Sequence, residues 1–135
     1  MRVIVPLADG FEDIEALTVV DVLRRAGIKV DTVGIIGTVI TSRSNVRLMV
    51  DKKISDVNVD EYDGIVLVGG ERGVENLGRS SKLLEILTKL NDKGKLVAAI
   101  CAAPSLLTKA GILEKKKATI YPGMENQIPY PREGR

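Results

Sequence analysis

Apolar and polar positions follow two rhythms along this chain, one of short continuous apolar runs and one of three- and four-residue steps. Val3-Ile4-Val5 is an apolar run closed by Pro6, with Asp9-Gly10 behind it as turn chemistry, which predicts a buried strand and then a loop. From Glu12 to Ala26 the residues Ala16, Val19, Leu23 and Ala26 recur at helical spacing, acids open the stretch, Arg24 and Arg25 close it, and Gly27 follows as its terminator. Ile28 to Val33 reads as a second strand, and a strand–helix–strand unit of this length favours parallel pairing with a right-handed crossover.

Two β-like runs, Thr38-Val39-Ile40 and Val46 to Val50, flank the polar Ser42-Arg43-Ser44-Asn45 and predict a hairpin. Ile65 to Val68 is apolar throughout, as a central strand buried on both faces should be, and it stops at Gly69-Gly70. Ser80 or Ser81 is placed to cap a helix whose core face is Leu83, Leu84, Leu87 and Leu90, with Gly94 closing it. Leu96 to Ile100 is a further apolar strand, Cys101 follows it directly, and Pro104 stands where a first helical turn accepts proline. A short helix to Ala110-Gly111 and a strand near Ala118 to Tyr121 complete the pattern. With no repeat, low-complexity tract or linker, the reading is a single α/β domain over residues 1–135.

Composition narrows the chemistry. The chain has 135 residues, of which 44% are hydrophobic, enough for a core without staples. It contains no histidine and one cysteine, so a Cys-His or Ser-His dyad within one subunit, a CxxC pair and a multi-cysteine zinc site are all excluded. No metal or cofactor is expected. A lone cysteine suits a reducing cytosol, and the expected location is cytoplasmic. A net charge of +2 and only four aromatics, Phe11, Tyr62, Tyr121 and Tyr130, argue against nucleic acid. The longest uncharged stretch, Leu96 to Thr108, contains Pro104 and falls short of the roughly 20 apolar residues of a membrane helix. Met1 to Pro6 lacks the layout of a signal peptide.

Ligands of open parallel sheets bind beyond the carboxyl ends of the strands, where Gly69-Gly70 and Cys101 both fall. A residue on a sharp strand-to-helix turn presents its side chain at the sheet edge, and a helix start there favours thiolate over thiol. The backbone N–H groups of Ala102 and Gly70 are then candidate donors to a developing oxyanion. Read blandly, Cys101 is a small buried residue at an Ala-rich strand end, and Gly69-Gly70 is only a turn. Glu12 and Glu15, three residues apart at the start of the first helix, either line the same pocket or simply satisfy the helix dipole.

Four segments change this balance: Ala8-Asp9-Gly10-Phe11-Glu12-Asp13-Ile14-Glu15, Val20 to Gly27, Leu67-Val68-Gly69-Gly70 and Ala98-Ala99-Ile100-Cys101-Ala102-Ala103-Pro104. Together they resemble the ThiJ/PfpI superfamily, also called the DJ-1 superfamily, from Met1 to about Tyr130, and its DJ-1-like branch in particular. The resemblance implies a flavodoxin-like three-layer sandwich with a mostly parallel sheet, normally a homodimer. It implies Cys101 as reactive thiolate, Glu15 as the protonated carboxyl bonded to it, Gly70 and Ala102 as backbone donors, and Gly69 in the pocket. Arg43 would approach that pocket from the partner subunit.

Two departures stand out. The branch usually has a histidine before the proline that is Pro122 here, and this chain has Tyr121, whose phenol, with a reference pKa near 10, cannot shuttle protons at neutral pH. Relatives also continue with a strand and a long helix, so a C-terminal strand and helix are expected to be missing and a sheet face uncovered. Arg135 then marks a cleavage point or the boundary of a longer chain, with a cleaved C-terminal fragment as a partner. Peptidase members place a histidine directly after the cysteine, and Ala102 here argues against an intracellular cysteine peptidase.

The readings left open are a glutathione-independent glyoxalase or deglycase acting on a small carbonyl substrate such as methylglyoxal, a redox sensor working through oxidation of Cys101 with a stress-protective or chaperone-like output, and a scaffold that has lost its chemistry.

Overall fold

The computed structural model describes residues 1–129. Its core is a five-stranded parallel sheet in the order β5-β2-β1-β6-β7, formed by β1 (Arg2–Leu7), β2 (Lys29–Gly34), β5 (Lys52–Lys53), β6 (Gly64–Leu67) and β7 (Leu96–Ala99). A separate antiparallel hairpin pairs β3 (Val39–Thr41) with β4 (Arg47–Met49). Among the described residues α1 (Asp13–Arg25) joins β1 to β2, α2 (Glu71–Gly78) and α3 (Ser81–Asp92) lie between β6 and β7, and α4 (Pro104–Lys109) follows β7. The flavodoxin-like reading thus describes the molecule.

Two clusters of apolar side chains, one on each face of the sheet, make three layers. Val5 and Leu7 of β1 pack with Ala16 and Val20 of α1 and with Ile40 of the hairpin. Ile4, Ile65 and Leu67 pack against Leu83, Ile86, Leu87 and Leu90 of α3 and Leu106 of α4. Alternate residues of β1 serve opposite faces, as the two-residue strand period dictates. Ser80 is the cap that α3 uses, its Oγ accepting the Leu83 N–H at 3.1 Å. Strand β7 is one edge of the sheet, and Leu96 on it and Ile100 just after it are half-exposed.

Two expectations change. The strand expected at Ala118 to Tyr121 is reduced to an isolated bridge at Ala118, and the Tyr121 N–H turns to the Cys101 carbonyl at 2.9 Å. Helix α2, read from the sequence only as the glycine turn, fills the interval before Ser80. The expected chain end at Pro131 to Arg135 lies outside the described residues. Among the described residues no helix is long and apolar enough to cross a membrane.

Candidate functional site

The site is assembled from the loops after β1, β6 and β7, three neighbouring strands whose order reverses between β1 and β6. That is the crevice an open parallel sheet offers to ligands. Cys101 sits there with φ of +62°, a left-handed conformation that disfavours residues with a Cβ by about 1–2 kcal/mol. The chain holds it by pinning both flanks: the Ile100 N–H bonds the Leu67 carbonyl at 3.1 Å, the Ala103 N–H bonds the Ile100 carbonyl at 3.0 Å, and the Cys101 carbonyl takes the Tyr121 N–H.

Glu15 stands in the first turn of α1, and its Oε1 accepts the Gly69 N–H at 2.7 Å. The Gly69 carbonyl in turn accepts the Glu12 N–H at 3.0 Å, so the start of α1 is stitched to the loop after β6 at both Glu12 and Glu15. A Cβ on Gly69 would lie 2.6 Å from Glu15 Oε1, 2.9 Å from Cys101 Cβ and 3.4 Å from Cys101 Sγ. Gly69 is therefore the spacer that brings carboxyl and thiol into one pocket. Gly69→Ala is expected to cost about 1–3 kcal/mol of stability through overpacking, lowering the melting temperature by several degrees, and to change the rate at which Cys101 is alkylated. A variant with unaltered melting and alkylation would contradict this packing.

Gly70 has φ of +93°, and a Cβ there would lie 2.4 Å from the Gly10 carbonyl oxygen and 2.7 Å from the Glu12 nitrogen. Its glycine is required for the close approach of the β1 and β6 loops, and its carbonyl starts α2 by accepting the Val74 N–H at 2.8 Å. Ala102 is buried directly after Cys101, and its N–H favours the ionised form of that sulfur.

Electrostatics run against the sequence expectation of a thiolate favoured by a helix start. Burial pushes the Cys101 thiol up, the negative charge of Glu15 adds to this, and the opposing Ala102 N–H is outweighed. Helix α4 is six residues long, too short to supply a strong dipole.

Arg43 belongs to the same rim within its own chain. Its N–H bonds the Phe11 carbonyl at 2.9 Å and its Nη1 lies 3.1 Å from Glu12 Oε2, while 73% of its side chain is exposed. Glu12, the alternative to Glu15, thus faces Arg43. Ser44 donates to Asp13 Oδ1 at 2.7 Å, a second tie between hairpin and helix that the sequence reading lacked. Tyr121 is joined to the site through its backbone, and the residue is 56% exposed. A cavity of about 240 Å³ lined by Glu71, Ala102, Ser105, Lys109, Met124 and Gln127 opens beside Ala102.

Fold and site together define a flavodoxin-like α/β protein with a cysteine–carboxyl pair at the crest of its sheet. The chain belongs to the DJ-1/PfpI family, which it matches over residues 1–134. It is 40% identical over 126 residues to protein dj-1beta of Drosophila melanogaster, covering 93% of this chain and 67% of that one. Over 128 residues it is 37% identical to a Pyrococcus abyssi protein named as a deglycase, covering 95% of this chain and 76% of the relative. Among solved structures, oxidized Toxoplasma gondii DJ-1 superposes with a TM-score of 0.90 at 38% identity, over 95% of this chain and 71% of that one.

Proposed function

We propose that this protein is a cysteine-dependent enzyme of the glyoxalase or deglycase type, acting on a small reactive dicarbonyl such as methylglyoxal. The observation that carries this reading is Cys101 held at a left-handed turn against the Glu15 carboxyl, itself fixed by the Gly69 N–H. Deglycase relatives and the small cavity beside Ala102 support it.

In this scheme the Cys101 proton passes to Glu15 and the sulfur adds to the aldehyde carbon, with the Ala102 N–H facing the charge that develops. Glu15 passes that proton on to the aldehyde oxygen, which gives the hemithioacetal and restores the carboxylate. Glu15 then removes the proton from that carbon and a proton is returned to the neighbouring carbonyl carbon, so one carbon is oxidised as the other is reduced. Water cleaves the resulting thioester, giving lactate and free Cys101. With Tyr121 in place of the usual histidine, Glu15 carries the proton transfers alone and turnover is slow.

The homodimer belongs to the same proposal. Ile14 and Leu17 on α1 and Val46 and Met49 on the hairpin are exposed apolar side chains flanking the Arg43 turn, so a partner subunit seated there would bring its own Arg43 close to the site. A second reading, oxidation of Cys101 as a signal, is favoured by the partly accessible sulfur and the Ala102 donor beside it. Lactate formation from methylglyoxal, measured side by side for the protein and Cys101→Ser, separates the two. The enzyme reading expects product only from the protein with its cysteine, and loss of that product once the sulfur is oxidised to sulfinate. No product from a folded sample would leave the sensor reading.

A further inference from the structure

We propose that a second cleft, distinct from the Cys101 site, binds a small soluble phosphomonoester. The cleft encloses about 520 Å³ beyond the carboxyl ends of β1 and β2, the region where parallel sheets accept ligands. One wall carries Arg72, Arg79 and Lys82, and the other is apolar, built from Ala8, Ile35, Ile36 and Ile40.

The cationic wall is positioned in advance. Asn76 Nδ2 donates to the Asp9 carbonyl at 2.8 Å while Asn76 Oδ1 accepts from Arg79 Nη1 at 3.2 Å, so the guanidinium is held by a side chain itself anchored to the loop after β1. The stem of Arg72 lies over Gly10, where a Cβ would come within 2.7 Å of Arg72 Cβ. None of the ion pairs among the described residues engages Arg72, Arg79 or Lys82. Lys82 shares its field with Glu85 on α3. The acid in the lining, Asp9, gives Oδ1 to the Thr41 N–H at 2.9 Å.

Two guanidinium groups and an ammonium against one carboxylate leave an excess of positive charge, which matches a phosphate of charge near −2 at neutral pH. Its three acceptor oxygens suit the fork geometry of arginine better than a single carboxylate does. The apolar wall, with Ile36 85% exposed at its rim, suits an uncharged body attached to that phosphate. The start of α3 is not the basis of the site, since the Ser80 hydroxyl already occupies the Leu83 N–H.

Calorimetric titration at constant ionic strength, with inorganic phosphate and phenyl phosphate as probes, tests the proposal. Phenyl phosphate is expected to bind at one saturable site and more tightly than inorganic phosphate. Arg72→Gln combined with Arg79→Gln is expected to weaken binding by at least about tenfold, and both positions are exposed, so the fold should tolerate the change. Ile36→Asp should weaken phenyl phosphate and remove its advantage over inorganic phosphate. Cys101→Ser should bind as the parent does, which keeps this site independent of the proposed dicarbonyl chemistry. No saturable binding, equal affinity in the double arginine variant, loss of binding in Cys101→Ser, or attachment only to vesicles containing phosphatidic acid would each overturn it.

Discussion

Replacing Glu15 with glutamine is expected to lower methylglyoxal turnover by about 10²- to 10⁴-fold, the range that a positioned proton carrier supplies, while the protein stays folded. Glutamine keeps the shape of the side chain and an oxygen able to accept the Gly69 N–H that Glu15 Oε1 now accepts at 2.7 Å. What it loses is the capacity to take a proton from sulfur and carbon. The same substitution removes the negative charge that, after burial, does most to hold the Cys101 thiol above its ordinary value.

The sign of the pH effect follows. A raised thiol ionises only as pH climbs, so the parent protein has little thiolate at neutral pH. In Glu15→Gln the alkylation profile should move to lower pH, and alkylation at pH 7 should become faster. One variant thus changes turnover and thiol reactivity in opposite directions, and an unaltered melting temperature distinguishes this from a disordered site, which would also release the thiol from burial. Parallel pH-dependent alkylation and lactate assays check the pair of outcomes. An unmoved alkylation profile would remove the coupling, and undiminished turnover would remove Glu15 as the proton carrier.

Why the sequence pointed to this pair only in part is a matter of register and distance. Local spacing put Glu12 and Glu15 on one helix start, and both indeed meet the β6 loop, yet nothing local says which carboxyl faces sulfur. The structure separates them: Glu12 stands just before α1 and turns its carboxylate to Arg43, and Glu15, one turn on, meets Gly69. The apolar strands were legible because burial on both faces leaves a continuous signature. Helix α2 was not, since only Val74 and Leu77 give it an apolar face and Gly73 interrupts it. That glycine is explained by tertiary contact, as a Cβ there would lie 2.8 Å from the Phe11 nitrogen. Tyr121 shows the same limit, because its tie to the site is a backbone hydrogen bond with no side-chain pattern to reveal it.

At the opposite, amino-terminal end of the sheet, Asp31→Ala is expected to lower stability by about 3 kcal/mol and the melting temperature by roughly 10 °C. Asp31 is buried on β2, and one oxygen, Oδ2, accepts from Tyr62 Oη at 2.6 Å and from Arg2 Nε at 2.8 Å. The Arg2 guanidinium also lies 4.6 Å from the centre of the Tyr62 ring, so the three side chains clamp β1, β2 and the lead into β6 together. Removing the carboxylate leaves a buried hydroxyl and a partly buried guanidinium without their acceptor, which costs more than the loss of an exposed pair. Burial opposes ionisation of Asp31, but the Tyr62 hydroxyl and Arg2 outweigh it and hold the carboxyl below the usual carboxylate range. Its contribution is therefore complete above the ordinary value of about 3.9 and disappears as pH falls through the depressed one. Thermal melts at pH 7 should show the full deficit of Asp31→Ala, and the gap from the parent should close as the solution is acidified below about pH 4. A deficit that persists unchanged in acid would assign it to lost packing and not to the charge. Melting within a degree of the parent at pH 7 would mean that this clamp, for all its burial, contributes no more than a surface ion pair.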